Sequence, residues 1–292
     1  MNKKLSLQEW IDDATEQQIS FMDYCIKHQS SLVEKSPQEL IEYMLSTLEV
    51  MEHSIEVGLS GVKSRGGLVG GDARKLYDYS SDSSKSIIGS AVGRAITIAL
   101  AVGEANAAMG KIVAAPTAGA SGVLPAVLFA LGEAWNIERT ELAKALVVAG
   151  AIGMVIASRA SLSGAAGGCQ AECGSAGAMA AGAAVVLNGG TPSQVGHAVA
   201  ITLKNMLGLV CDPVAGLVEV PCVKRNAGAV AQAMVAAEIA LAGITSVIPV
   251  DEVIDAMAAV GSAMSCSLRE TSQGGLAVTP TALALAEKIL KV

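Results

Sequence analysis

Three cysteines stand in glycine-rich or proline-bracketed sequence. Cys169 lies in Gly167-Gly168-Cys169-Gln170, and Cys211 and Cys222 bound the run Cys211-Asp212-Pro213-Val214-Ala215-Gly216-Leu217-Val218-Glu219-Val220-Pro221-Cys222. Thiolates are the ligands of iron–sulfur clusters, and a set of three on a four-iron cluster would leave one iron open for chemistry. Cys169 falls at the expected N-terminal end of a helix, where free N–H groups and the helix dipole favour a thiolate. The separations of 42 and 11 residues differ from the Cys-x-x-Cys pairs of zinc ribbons and bacterial ferredoxins. Spacing alone therefore leaves a second reading open, in which the three are small buried apolar residues.

The elements that would carry them read as helices. Ser36-Pro37-Gln38-Glu39 is a capping box with proline at the first helical position, and Thr191-Pro192-Ser193-Gln194 repeats that logic after the Asn188-Gly189-Gly190 stop. Helices are expected over 6–28, 37–58, 86–109, 123–135, 140–158, 170–187, 192–206, 225–243, 251–260 and from Pro280 to the C-terminus. Loops are expected at 59–80, 110–122, 159–169, 207–223 and 262–278, and regular strand alternation is hard to find. The expected fold is all-α, an Ala/Gly-rich helical bundle with the cysteine loops between helices.

Composition divides the chain and narrows its class. Through residue 60 there are 4 basic and 11 acidic residues and one glycine, Gly58, whereas the remaining 16 basic and 16 acidic residues cancel. Residues 1–60 are therefore expected to form an acidic helical arm or subdomain, and 61–292 a catalytic domain. A net charge of -7 disfavours nucleic acid and anionic membranes as partners. The start, Met1-Asn2-Lys3-Lys4, lacks the apolar stretch of a cleavable signal, so the chain is expected to be cytoplasmic, with its six cysteines as thiols or ligands. Ala145 to Ser158, 14 residues between Lys144 and Arg159, reads as too short to span a bilayer, and aromatics are absent after Trp135.

Several separated motifs occur in a characteristic order: Ala115-Pro116-Thr117-Ala118-Gly119-Ala120-Ser121-Gly122, Ser161-Leu162-Ser163-Gly164-Ala165, the Cys169 motif, the Cys211–Cys222 run, Arg225-Asn226-Ala227, and Glu270-Thr271-Ser272-Gln273-Gly274-Gly275-Leu276. Together they closely resemble the iron–sulfur-dependent L-serine dehydratases, specifically the separately encoded alpha subunit. The resemblance implies that Cys169, Cys211 and Cys222 ligate a [4Fe–4S] cluster. Single-chain members add a cysteine near the C-terminus, whereas this chain ends Ile289-Leu290-Lys291-Val292, which implies a free fourth iron unless a partner subunit fills it. Cys173, four residues after Cys169, is expected not to be a ligand; Cys25 and Cys266 are expected to be structural.

The implied reaction is elimination of water from L-serine through aminoacrylate to pyruvate and ammonia. An iron would act as Lewis acid toward the leaving hydroxide, and a positioned base would take the Cα proton. Thr117, Ser121 and Gly122 are the expected carboxylate-binding residues, with Arg65 in Lys63-Ser64-Arg65-Gly66-Gly67 as a cationic partner and the Ser272–Gly275 loop as a weaker candidate. His28, His53 and His197 match no motif for the base, which the resemblance places on a beta subunit; the alpha chain alone is then weakly active or inactive. The alternative within this chemistry is a related lyase acting on threonine or cysteine. Two other classes compete: a pyridoxal-phosphate lyase using Lys85, which ordinarily implies an α/β fold, and a helical membrane or scaffold protein.

Overall fold

The computed structural model describes residues 4–80 and 86–290, so Lys85 and the last two residues lie outside the described residues. The chain order is α1 (Leu7–Glu16), α2 (Phe21–Leu32), α3 (Pro37–Leu59), α4 (Asp72–Ser80), α5 (Gly89–Ala107), α6 (Val123–Trp135), α7 (Arg139–Arg159), the single turn α8 (Gly164–Gly167), a π turn (Gln170–Gly174), α9 (Ser175–Leu187), α10 (Pro192–Met206), α11 (Cys222–Leu241), α12 (Val250–Ala263) and α13 (Pro280–Leu290), with short 3₁₀ turns in the loops. The fold is all-α. Among the described residues there is no strand, only an isolated parallel bridge between Cys211 and Arg269.

Local signals set several boundaries. Ser36 and Thr191 both form the expected capping boxes, with Glu39 and Gln194 reaching back to the cap N–H groups, and α6 stops at Asn136 in the left-handed region. Two expectations fail for physical reasons. The helix expected over 6–28 breaks: Gln18 turns left-handed (φ 54°), and Ser20 caps a new helix by accepting from the Asp23 N–H. The expected loop 59–80 contains α4, whose cap comes from elsewhere in the chain. The buried Glu104 carboxylate on α5 accepts from the N–H groups of Gly71 (3.0 Å), Asp72 (2.7 Å) and Ala73 (3.3 Å).

The core is built around α9. Every residue of Ser175-Ala-Gly-Ala-Met-Ala-Ala-Gly-Ala-Ala-Val-Val186 is buried, as expected of a helix apolar on all sides, and α7, α10, α11 and α6 surround it. Small residues let these axes approach: a Cβ on Gly182 would collide with Ile152 Cδ1 of α7. Helices α2 and α3 pack on α7 and α1 packs on α10, so Leu7, Trp10, Phe21, Leu48 and Met51 enter the same hydrophobic core. Helix α7 has the length and hydropathy to cross a membrane, a longer element than the 14-residue stretch read from the sequence, but 67% of its apolar window is buried against these neighbours. An all-α architecture also removes the ordinary α/β setting of a pyridoxal-phosphate lyase.

Candidate active site

The three cysteines meet at the N-terminal end of α9. Cys169 immediately precedes the π turn that leads into α9, a helix irregularity often found at functional sites. It is placed by Gly168, whose φ of +76° and whose neighbours Leu209 O and Met264 Cε, each 2.8 Å from where a Cβ would stand, exclude a side chain. Gln170 pins the turn on both sides: its amide donates to Met257 O at 3.0 Å and its carbonyl accepts from the Gly208 N–H at 2.9 Å. Cys211 is held by backbone pairing, donating to Leu268 O (2.9 Å) and accepting from the Glu270 N–H (2.7 Å). Cys222 opens α11, three residues earlier than expected. Asn226 one turn later donates to Cys222 O (2.9 Å) and Gly119 O (2.7 Å) and accepts from the Gly122 N–H (3.0 Å).

All three thiols are buried, at 2%, 3% and 9% exposure, and close enough to influence one another's ionisation. Burial pushes the Cys211 thiol up and the Cys222 thiol up to about 12, with repulsion from Cys169 adding to both. Cys169 behaves oppositely. A hydrogen bond shared with Cys173 (Sγ–Sγ 3.4 Å) lowers its pKa, and the Arg225 guanidinium reinforces the shift, while Cys173 is raised. Arg225 itself is fixed by Val210 O (2.7 Å) and by an ion pair with buried Asp212 (2.8 Å), whose other oxygen accepts from the Leu276 N–H (2.7 Å). Cys25 is buried in α2 and Cys266 is exposed, both outside this cluster of thiols. Among the described residues, no group of three or more His, Cys, Asp or Glu is arranged to hold a single metal ion.

The expected substrate-binding residues have different fates. Thr117 and Ser121 carry hydroxyl oxygens that are buried and without a hydrogen-bond partner. Gly122 has its N–H committed to Asn226, so it shapes the loop. The Arg65 side chain is exposed, and its backbone N–H donates to Ala107 O at 3.1 Å. The loop carrying Arg65 is tied to the cysteine run through buried Glu219, which accepts from Ser64 Oγ (2.5 Å) and the N–H groups of Gly66 (2.6 Å) and Leu68 (3.0 Å). Ser272 donates to Pro213 O (2.7 Å), so the third loop braces the run between Cys211 and Cys222.

One residue escaped the sequence reading. Glu172, in the π turn, points at the junction of three motifs: both carboxyl oxygens lie 3.6 Å from the Cβ position of Gly119, and Oε2 lies 2.9 Å from that of Gly164, as does Cys211 Sγ. Burial raises its pKa; the nearby Thr117 hydroxyl opposes the shift without reaching hydrogen-bond geometry. The signal that marks it is charge: Glu172 is the only Asp, Glu, Lys or Arg between Arg159 and Lys204. The histidines are engaged elsewhere. His28 is half-buried against Trp10 (ring centroids 4.5 Å), correcting its expected exposure; His53 lies beside Glu56 (3.5 Å); His197 accepts from the Ser246 N–H (3.3 Å).

Comparison with known proteins identifies the family of the chain. The family model described as "Serine dehydratase alpha chain" matches residues 16–277. The chain is 54% identical over 284 residues to a probable L-serine dehydratase, alpha chain, of Bacillus subtilis, covering 97% of this chain and 94% of the relative. It is 43% identical over 285 residues to the L-serine dehydratase, alpha chain, of Peptoniphilus asaccharolyticus, covering 97% of each. With L-serine dehydratase 2 of Escherichia coli it shares 40% identity over 252 residues, 83% of this chain and 55% of the longer relative. With 262 of its 292 residues matched and such identity over nearly its full length, the chain belongs to the serine dehydratase alpha chain family.

Proposed function

We propose that this chain is the alpha subunit of an L-serine dehydratase, a lyase that removes water from L-serine to give aminoacrylate and then pyruvate and ammonia, and that Cys169, Cys211 and Cys222 hold a [4Fe–4S] cluster. The observation that carries the reading is the gathering of three buried thiols at one end of the central helix, beside a loop whose Thr117 and Ser121 hydroxyls are unpartnered. The donor set fits the group. Thiols that burial keeps protonated need a cation to become thiolates, and iron supplies it. Each thiolate of a cluster binds a different iron, so its cysteines stand further apart than the ligands of a single ion.

When bound, the cluster supplies Lewis-acid stabilisation of the departing hydroxide. The chain's own residues do the rest of the positioning. Thr117 and Ser121 offer hydroxyl donors to the substrate carboxylate, and Asn226 holds their loop against the start of α11. Arg225 keeps negative charge at Cys169 favourable while Asp212 fixes the guanidinium. The proton-abstracting base is assigned to a beta subunit, a partner implied by the alpha-chain relatives. Six free cysteines accord with a reducing cytoplasm. Anaerobic reconstitution of the purified chain with iron and sulfide, with and without the beta subunit, followed by pyruvate formation from L-serine, tests the reading. The expected result is a brown chain whose turnover depends on the partner. Full activity from the alpha chain alone would remove the base assignment, and absence of turnover in the pair would remove the function.

A further inference from the structure

We propose that Glu172 binds the α-ammonium group of the amino-acid substrate; the inference rests on the dehydratase reading and deepens it. Three glutamates of this fold are set into its interior or its site, and two are fully satisfied. Glu104 accepts three N–H groups at the start of α4, and Glu219 accepts a hydroxyl and two N–H groups from the Ser64–Leu68 loop. Glu172 differs. Among the described residues no lysine or arginine pairs with it, and the groups that act on its ionisation are the Thr117 hydroxyl and a second carboxylate, Glu270. A half-buried carboxylate that faces a second carboxylate and no cation is relieved by a positively charged ligand.

The surroundings specify that ligand. On the adjoining loop, whose Gly119 faces the Glu172 oxygens, the Thr117 and Ser121 hydroxyls lack partners, so the loop offers spare donors while Glu172 offers a spare anionic acceptor. An α-amino acid carries both complements on adjacent atoms. A Cβ at Gly119 would stand 3.6 Å from both Glu172 oxygens and one at Gly164 2.9 Å from Oε2 and from Cys211 Sγ, so glycine at both positions leaves the carboxylate unobstructed beside the thiol set. An ammonium held there stands next to the thiol set, which is where the β-hydroxyl of serine has to be presented. Glu270 is the competing acceptor, but it is exposed, whereas Glu172 is half-buried where a charge pair is less screened by water.

The test is equilibrium binding to the anaerobically reconstituted alpha chain without its beta subunit, which holds the cluster but leaves serine unconverted, comparing L-serine with the glycerate of matching configuration, which replaces the ammonium by a hydroxyl. Wild type should prefer serine by about 10- to 100-fold, the scale of a charge-assisted hydrogen bond. Glu172→Gln should weaken serine binding by a similar factor, leave glycerate within about threefold, and retain wild-type iron content. A purely structural role would weaken both ligands together. Equal wild-type affinity for the two ligands overturns the inference without any variant, as does unchanged serine binding in Glu172→Gln or a loss confined to Glu270→Gln. A wild-type chain that neither assembles iron nor, with its beta subunit, turns over serine instead sinks the dehydratase reading itself.

Discussion

Replacing Gly164 with alanine isolates the crowding at the thiol site. Gly164 sits in the helical turn α8 with no left-handed φ, so alanine suits its backbone and should contribute about 0.5–1 kcal/mol there. The new methyl would stand 2.9 Å from Cys211 Sγ and 2.9 Å from Glu172 Oε2, well inside the ~3.5–4.0 Å at which such atoms rest. Overpacking of this kind costs about 1–3 kcal/mol. The opposing terms nearly cancel in global stability, so the melting temperature should move by only a few degrees. The thiol set, however, must shift to admit the methyl, and iron uptake depends on that set. Gly164→Ala should therefore lose most of its iron after anaerobic reconstitution, by metal content and visible absorbance, while far-ultraviolet dichroism stays at the wild-type level. Wild-type iron content and serine turnover in this variant would refute the placement of Cys211 beside Gly164.

Alanine at Cys169, Cys211 or Cys222 should abolish both iron binding and pyruvate formation, whereas Cys173→Ala should retain iron; wild-type iron in all three of the first variants would overturn the ligand set. Glu219→Ala strands Ser64 Oγ and two backbone N–H groups, at a cost of about 2–4 kcal/mol, so calorimetry should record a lower melting temperature; an unchanged one would contradict the clasp. Glu104 has its carboxyl pKa raised by burial, so the folded state holds that proton more tightly than the unfolded chain. Its contribution to stability is fully present below the ordinary carboxylate range and is lost as pH rises through the raised value. Glu104→Gln should remove that fall, seen as a flatter melting-temperature profile across mild acid than wild type gives.

The parts of this fold that sequence makes legible are those set by neighbours in the chain. Ser36, Thr191 and Asn136 act within one turn of themselves, and the helices they bound lie where expected. Helix α4 is illegible because its cap is Glu104, more than thirty residues away, and the break after α1 depends on a left-handed Gln18 that composition does not announce. The same distinction holds at the site. The cysteine motifs stand out as glycine- and proline-rich runs, but Glu172, Arg225 and Asn226 acquire meaning only when α9, α11 and the Thr117 loop converge. Conversely Arg65, attractive in a glycine-rich run, projects outward, because what holds that loop is the backbone grip of Glu219.

The central claim is that three thiolates from this chain leave one iron of a four-iron cluster open to substrate. Mössbauer spectroscopy of the iron-57-reconstituted enzyme, before and after L-serine, tests it most directly. The account predicts that about one quarter of the iron signal shifts on adding serine while the other three quarters hold, and that the Cys211→Ala variant gives no cluster signal at all. A spectrum unmoved by serine, or one in which all the iron responds equally, would contradict it.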